Sequence, residues 1–335
     1  MSQHQLFQTS GSSGAPRQWL RSNAQMACEA RLIYQRWAAD VGEIIAFAPA
    51  SHSYGKILGE FGASVSGAPV QFCSLEQQQL PALDGTGHCV ILAIASTWRL
   101  LPGLLERLVG KRQVLVLHSA SLLPPHALAI VQRFAGPKVR FIELLGSTET
   151  GAMAFRQLDV QSTADQPWTL LDDVELLTPA GQPAPLEVAS PRIACEQGQA
   201  TAASHRCDDL IQPLEARRFQ WLGRVSSLIK VNGLRVDLAR LGSELSGHLG
   251  CPALACVPVR DALRAEAYEL LFCSSSLTER EVLDAFTELL PATPRPLAVR
   301  RVAVRRVAHL PLSATGKPQP WAAASTVKEY TDVTR

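Results

Sequence analysis

Between Ser22 and Gly146 the apolar residues switch repeatedly between a helical and a strand period, which predicts alternating helices and strands. A helix with Ser22 as its N-cap is expected to run to about Ala39, followed by a strand over Glu43–Ala48 and a helix over Tyr54–Ser64. Val90–Ala95, Val114–Leu117 and Val139–Leu145 are continuous apolar runs of strand length. Between them, Trp98–Val109 reads as an amphipathic helix, and Pro124-Pro125 opens another that reaches about Phe134. Strands that are apolar throughout need cover on both faces, so this order predicts an α/β fold with a doubly wound, mainly parallel sheet.

After Gly151 the pattern breaks up. Residues 158–222 are rich in Pro, Gln and Asp with short apolar runs, and read as a β-rich, barrel-like segment. Beyond Gly223 the order is strand (Leu228–Val231), helix (Val236–His248), two strands, helix (Thr278–Leu289), strand and a polar tail. That is a compact α+β unit of ordinary domain size. Two domains are therefore expected, 1–222 and 223–335, with the boundary near Gly223-Arg224.

Composition narrows this picture only slightly. The 335 residues are 47% hydrophobic and 19% charged, the balance of a globular chain rather than a disordered one. A net charge of +2 gives no strong field for nucleic acid or an anionic membrane, although a small anionic ligand needs only local positive charge. The eight cysteines are scattered without a C-x-x-C pair, and are expected to be reduced thiols. No apolar stretch approaches the length of a membrane span, and Met1–Gln8 lacks the character of a secretory signal, so a cytoplasmic protein is expected.

Three segments carry candidate chemistry. In Thr9-Ser10-Gly11-Ser12-Ser13-Gly14-Ala15-Pro16-Arg17 the glycines let backbone N–H groups turn toward an anion, the hydroxyls add donors, and Arg17 could pair bidentately with phosphate oxygens. The same composition also suits a flexible leader. Leu145-Gly146-Ser147-Thr148-Glu149-Thr150-Gly151 lies at the carboxyl end of a predicted strand, where open α/β sheets bind ligands. There Glu149 is a hard oxygen donor suited to Mg²⁺ and Thr148 can donate to phosphate, against the alternative of an ordinary polar turn. Leu310-Pro311-Leu312-Ser313-Ala314-Thr315-Gly316-Lys317 presents a lysine on a glycine turn, which is either a solvated loop or a cation for a developing phosphoryl transition state.

Taken in order, these segments resemble the adenylate-forming superfamily of acyl- and aryl-CoA synthetases, luciferases and peptide-synthetase adenylation domains. Pro49-Ala50-Ser51-His52-Ser53-Tyr54-Gly55 looks like the family's carboxylate-pocket segment. The run from Leu222 to Val236 looks like its hinge and first C-terminal strand pair. The resemblance extends from about Phe7 to Gln319. It implies that a carboxylate attacks the α-phosphate of ATP to give an acyl-adenylate, after which a thiol of CoA or of a carrier protein's phosphopantetheine arm displaces AMP. By similarity, residues 9–17 would hold the β- and γ-phosphates, Thr148 would contact phosphate, Glu149 would bind Mg²⁺, and Lys317 would bridge carboxylate and α-phosphate. Asp209 and Arg224 would be the ribose candidates, while His52, Ser53 and Gly146 would line the substrate pocket. A small, mobile C-terminal domain would swing to exchange Lys317 for a thiol-facing surface bearing Ser226, Lys230 and Gly233.

The sequence departs from that pattern in several places. Only Met1–Gln8 precede the phosphate loop, where the family has a sizeable subdomain, so either a second protein chain supplies it or the form is minimal. Leu145 stands for an adenine-stacking aromatic, Ser119-Ala120-Ser121 for a glycine-rich turn, and Cys207-Asp208 for Thr-Gly. Near His52 there is no acid to pair with an α-amine, so a fatty, aromatic or other non-amino acid is expected as substrate. The competing expectation is a non-catalytic or partner-dependent subunit derived from such an enzyme, because fold does not guarantee function. Arg300, Arg301, Arg305 and Arg306 read as solvated strand-face charge, with docking of a carrier protein or the CoA phosphates as the alternative.

Overall fold

The structure is a computed structural model that describes residues 4–9, 17–74, 81, 87–108, 113–120, 123–124, 126, 127–163, 165–225, 228–231, 234–261, 265–291 and 293–301. The chain divides into two compact units, Met1–Leu228 and Ile229–Arg335.

The first unit opens with an antiparallel hairpin that the hydrophobic pattern does not announce, β1 (His4–Thr9) and β2 (Arg17–Ser22), in register Thr9↔Arg17. Helix α1 (Asn23–Trp37) starts where the sequence predicts. The Ser22 hydroxyl accepts from the Gln25 N–H, and the Gln25 side chain accepts from the Ser22 N–H, a reciprocal cap. Strand β3 (Val41–Ala46) leads into a helix in three parts: α2 (Ser53–Gly55), a π-helical turn Lys56–Phe61, and α3 (Gly62–Ser66). Wide π turns loosen the usual backbone pairing, and here the buried Tyr34 hydroxyl donates to the Leu58 carbonyl at 2.6 Å. Next come β4 (Val70–Phe72), β5 (His88–Ala93), a 3₁₀ turn at Ala95–Arg99, α4 (Leu101–Leu108), β6 (Val114–His118), α5 (Ala127–Phe134) and β7 (Val139–Ser147).

Strands β3, β4, β5, β6 and β7 pair parallel in the order β7-β6-β5-β3-β4. Successive side chains on a strand point to opposite faces, and the core divides accordingly. Ile44, Val90, Leu92, Leu115 and Leu117 pack on α1 through Met26, Ala30 and Ile33. Ile45, Ile91, Val114 and Val116 pack on the other side against Trp98, Leu104, Leu105 and Val131. The expected doubly wound sheet is therefore present.

Residues 158–222 form no separate barrel. Strands β8 (Gly151–Leu158), β9 (Trp168–Leu170), β10 (Glu175–Leu176), β11 (Ala184–Ala189), β13 (Ser204–Glu215) and β14 (Arg218–Arg224) extend the same sheet antiparallel, to eleven strands in all. Strand β12 (Cys195–Glu196) instead joins β2 in a three-stranded sheet. The short apolar runs reflect strands buried on one face, and their continuity with the parallel half is a long-range pairing that local pattern does not carry.

The second unit contains β15 (Leu228–Val231), β16 (Leu234–Asp237), α6 (Leu238–His248), β17 (Leu254–Asp261), β18 (Ala265–Phe272), α7 (Glu279–Leu289) and β19 (Ala298–Arg301). Val236 lies in β16 rather than at a helix start, because Asp237 is the cap of α6 and accepts from the Ala239 and Arg240 N–H groups. Arg300 pairs with Glu269 at 3.0 Å, and Arg301 lies over the Phe272 ring and donates to the Leu277 carbonyl. None of the eight cysteines, all among the described residues, is in a disulfide. Among the described residues no helix is long and apolar enough to cross a membrane.

Candidate active site

The β7–β8 turn is built to present its tip. A Cβ on Gly146 would fall 2.4 Å from the Gly151 carbonyl oxygen, so the two ends approach more closely than any side chain allows. Gly151 has φ +71°, a left-handed conformation that glycine adopts without strain. Inside the turn the Ser147 hydroxyl accepts from the Thr150 N–H at 3.3 Å, which leaves Thr148 and Glu149 partly exposed at the tip.

Ser53, at the start of α2, lies with its Oγ 3.4 Å from Thr148 Oγ1. Two segments 95 residues apart are thus joined at the edge where the parallel strands end. His52 caps α2, its Nδ1 accepting from the Tyr54 N–H at 3.3 Å.

The β1–β2 hairpin reaches the same region. Ser10, Gly11, Ser12, Ser13 and Gly14 lie outside the described residues, but both feet of their loop are described. The Trp19 indole donates to Thr9 Oγ1 at 3.2 Å. Arg17 makes two hydrogen bonds to Glu196, at 2.8 and 2.6 Å, and lies over the Trp19 ring. Its pKa is raised first by the Glu196 hydrogen bond and then, against the effect of burial, by the charges of Glu196 and Glu149. His205 on β13 meets Trp19 edge-on at 5.7 Å. Burial holds its imidazole below the ordinary value, although Glu149 and Glu196 pull the other way. Arg17, Glu149, Glu196 and His205 therefore lie within electrostatic reach of one another, and the Glu196 carboxylate already engages the Arg17 guanidinium.

On β13 and β14, Asp209 and Arg224 are direct cross-strand partners. Asp209 is buried, accepts from the Trp221 indole at 2.9 Å, and lies 3.6 Å from Arg224 Nε. The two ribose candidates are thus partners of each other. Cys207 is buried with its Sγ 3.6 Å from Met153 Sδ, and burial pushes its thiol well above the ordinary range, so it packs as a small apolar residue. Leu145 and Ala120 pack against the core, and Ala120 takes φ +72° where a glycine would sit unstrained. Lys317, Ser226 and Gly233 lie outside the described residues, as does the side chain of Lys230, whose backbone is in β15.

Among the described residues no three His, Cys, Asp or Glu side chains cluster as a metal site. A single carboxylate is nevertheless what Mg²⁺ needs when substrate phosphates and water complete its shell, so Glu149 at the turn tip fits that ion.

Sequence reasoning missed a buried group beneath the turn, formed by Arg21, Glu29, Arg192 and Asp173. Arg21, Glu29 and Arg192 are 0%, 4% and 1% exposed. One signal was available: Glu29 falls on the buried stripe of α1 with Met26, Ala30, Ile33, Tyr34 and Trp37.

The first unit joins a doubly wound sheet to an antiparallel extension, with a glycine-bounded Ser-Thr-Glu turn at the carboxyl edge of the parallel strands, and a small α+β unit follows it in the chain. No protein-family model matches the chain. Solved structures do. ATP-bound MatB from Rhodopseudomonas palustris superposes with a TM-score of 0.70 at 18% identity, over 94% of this chain and 66% of that one. The anthranilate CoA ligase AuaEII in complex with anthranoyl-AMP gives 0.71 at 17%, over 93% and 65%. O-succinylbenzoate coenzyme A synthetase (MenE) from Bacillus subtilis, in complex with ATP and magnesium ion, gives 0.72 at 16%, over 93% and 68%. The chain thus spans about two thirds of the length of these structures.

Proposed function

We propose that this protein activates a non-amino carboxylic acid, fatty or aromatic, with ATP and passes the acyl group to a thiol of CoA or of a carrier protein. The supporting observation is convergence: the feet of the Ser/Gly loop, Ser53 of the pocket segment and the Thr148–Glu149 tip meet at one edge of the sheet, with Arg17 and Glu149 in electrostatic contact. The AMP-forming ligases that share the fold support the same class.

In this reading a carboxylate oxygen bonds to the α-phosphorus of ATP and pyrophosphate leaves; the thiol then bonds to the acyl carbon and AMP leaves. Residues 9–17 hold the outer phosphates and Thr148 donates to one of them. Glu149 holds Mg²⁺, which when bound neutralises phosphate charge. Lys317 offsets the charge that develops between carboxylate and phosphate. Asp209 and Arg224 face the ribose as a pair, and His52, Ser53 and Gly146 bound the acid pocket. Residues 223–335 act as a mobile lid that carries Lys317 and, for thiol transfer, Ser226, Lys230 and Gly233.

Carboxylate-dependent exchange of pyrophosphate into ATP tests this. Exchange with at least one aromatic or fatty acid is expected, abolished in Lys317→Ala. Its absence across a broad acid panel, in folded protein, contradicts the reading. The internal engagement of Arg17 by Glu196 and of Asp209 by Trp221 favours a second reading, a non-catalytic or partner-dependent subunit. For a scaffold, calorimetry finds no ATP binding even with Mg²⁺.

A further inference from the structure

A carboxylate on the apolar stripe of a helix is several kcal/mol out of place unless charges and donors meet it. Glu29 is met on every side. Its Oε1 accepts from the Ala152 N–H at 2.8 Å. Its Oε2 accepts from Arg21 at 2.9 Å and lies 3.1 Å from Arg192. Arg192 in turn holds Asp173 with two hydrogen bonds, at 2.6 and 2.8 Å, and donates to the Ala152 carbonyl at 2.8 Å. Both backbone polar groups of Ala152 are therefore held by charged side chains, one residue past the glycine that closes the catalytic turn.

The other side of the turn is tied to the same group. The Glu149 carbonyl accepts from the Ala194 N–H at 2.7 Å. Two residues earlier the Arg192 carbonyl accepts from Arg21 at 3.0 Å, and Gln25 donates to the Pro191 and Ile193 carbonyls. Arg21 belongs to β2, the strand that carries one foot of the Ser/Gly loop. A Cβ on Gly151 would fall 2.1 Å from Glu29 Oε2, so glycine there also makes room for the carboxylate. The cluster is rich in donors: among the described residues Arg21 Nε and Nη1 find no hydrogen-bond acceptor, and Arg192 Nη1 meets only the Glu29 carboxylate, as an ion pair. Glu29 is thus shared by two buried guanidinium groups.

We propose that Glu29, through Arg21 and Arg192, is a positioning residue that sets the Thr148–Glu149 turn against the phosphate-loop hairpin and so tunes metal-phosphate binding. Apolar packing of equal volume would stabilise the fold as well or better, whereas ionic contacts fix direction. This rests on the function proposed above, and the test separates the two.

Glu29→Gln keeps the shape and an acceptor for Ala152 but removes the charge. Arg21→Met with Glu29→Gln restores the balance of one cation, Arg192, with one anion, Asp173. In pyrophosphate exchange, Glu29→Gln is expected to raise the Mg²⁺ concentration for half activity by about tenfold, the scale of outer-shell changes at metal sites, with the KM of the acid little changed. The double variant is expected to recover most of that shift. A fall in kcat and melting temperature with no change in Mg²⁺ dependence makes Glu29 merely structural and overturns the proposal. Amide exchange of the 147–152 segment gives a readout free of turnover. It is expected to be faster in Glu29→Gln and restored in the double variant, and equal rates in wild type and Glu29→Gln also overturn the proposal. Should wild type show no exchange chemistry while these amide rates behave as expected, the functional reading fails and the positioning role stands. Glu29→Asp, which keeps the charge on a shorter arm, serves where Glu29→Gln does not fold.

Discussion

The two halves of the large sheet are held together by different physics. In the parallel half, β5 and β6 are buried along their whole length, covered by helices on both faces, and their packing is almost purely apolar. In the antiparallel half, ion pairs carry more of the packing: Glu143 with Arg156 across β7 and β8, Asp209 with the partly exposed Arg224 across β13 and β14, and beside them Arg192 with Asp173 and Glu29. Apolar burial is non-directional and gives shape; buried ion pairs with good geometry fix which atom faces which. The candidate site lies where the two halves meet, at the turn between the last parallel strand and the first antiparallel one.

The largest effect expected from that contrast is at Arg156. Its Nε donates to Glu143 at 2.7 Å, both side chains are under 10% exposed, and the guanidinium lies over Trp168. Arg156→Met strands a buried carboxylate and is expected to destabilise the unit by about 3–5 kcal/mol in denaturant unfolding. Adding Glu143→Met should recover most of that loss. In the parallel half, Leu105→Ala, at a fully buried site, should cost about 2–5 kcal/mol by leaving a cavity. No second charge deletion can restore it, and that difference is the point of the comparison.

A smaller effect is expected at Ala120. It holds a left-handed φ at the end of β6, so Ala120→Gly should stabilise by roughly 1 kcal/mol, read as a rise in melting temperature. A fall would mean that the methyl packing against the core outweighs the strain.

The smallest is a pH dependence. Burial lowers the imidazole pKa of His88, His126 and His205 below the ordinary 6.5, and for His88 the hydrogen bond that it donates to Asp40 only partly offsets this. The fold therefore holds them neutral while the unfolded chain takes up protons. Stability is full above pH 6.5 and falls as the pH drops toward the folded-state values. His88 Nε2 is buried without a partner, so His88→Gln should flatten the acid limb of a melting-temperature profile most directly.

The parallel half was readable in sequence because its information is local. Ser22 with Gln25 fixes the start of α1, and apolar runs such as Val90–Ala93 have one reading once helices alternate with them. The antiparallel half was read poorly because its pairing is long-range: β9 inserts between β8 and β14, and β12 leaves the sheet to join β2. In the candidate site, Thr148, Glu149, Ser53 and the loop feet were singled out from chemical type and order, and the structure brings Ser53 to Thr148 and Arg17 within reach of Glu149. Glu196, His205, Glu29 and Arg192 were not, since a carboxylate or guanidinium in sequence looks solvated until folding shows its partner.

The most direct measurement is the calorimetric titration of ATP into wild type and Glu149→Ala, with and without Mg²⁺. Binding by wild type is expected with Mg²⁺, weakened at least about tenfold, or roughly 1.4 kcal/mol, in Glu149→Ala, and no difference between the two proteins without the metal. No binding by folded wild-type protein, or equal affinities with Mg²⁺ present, would contradict a nucleotide site at this turn.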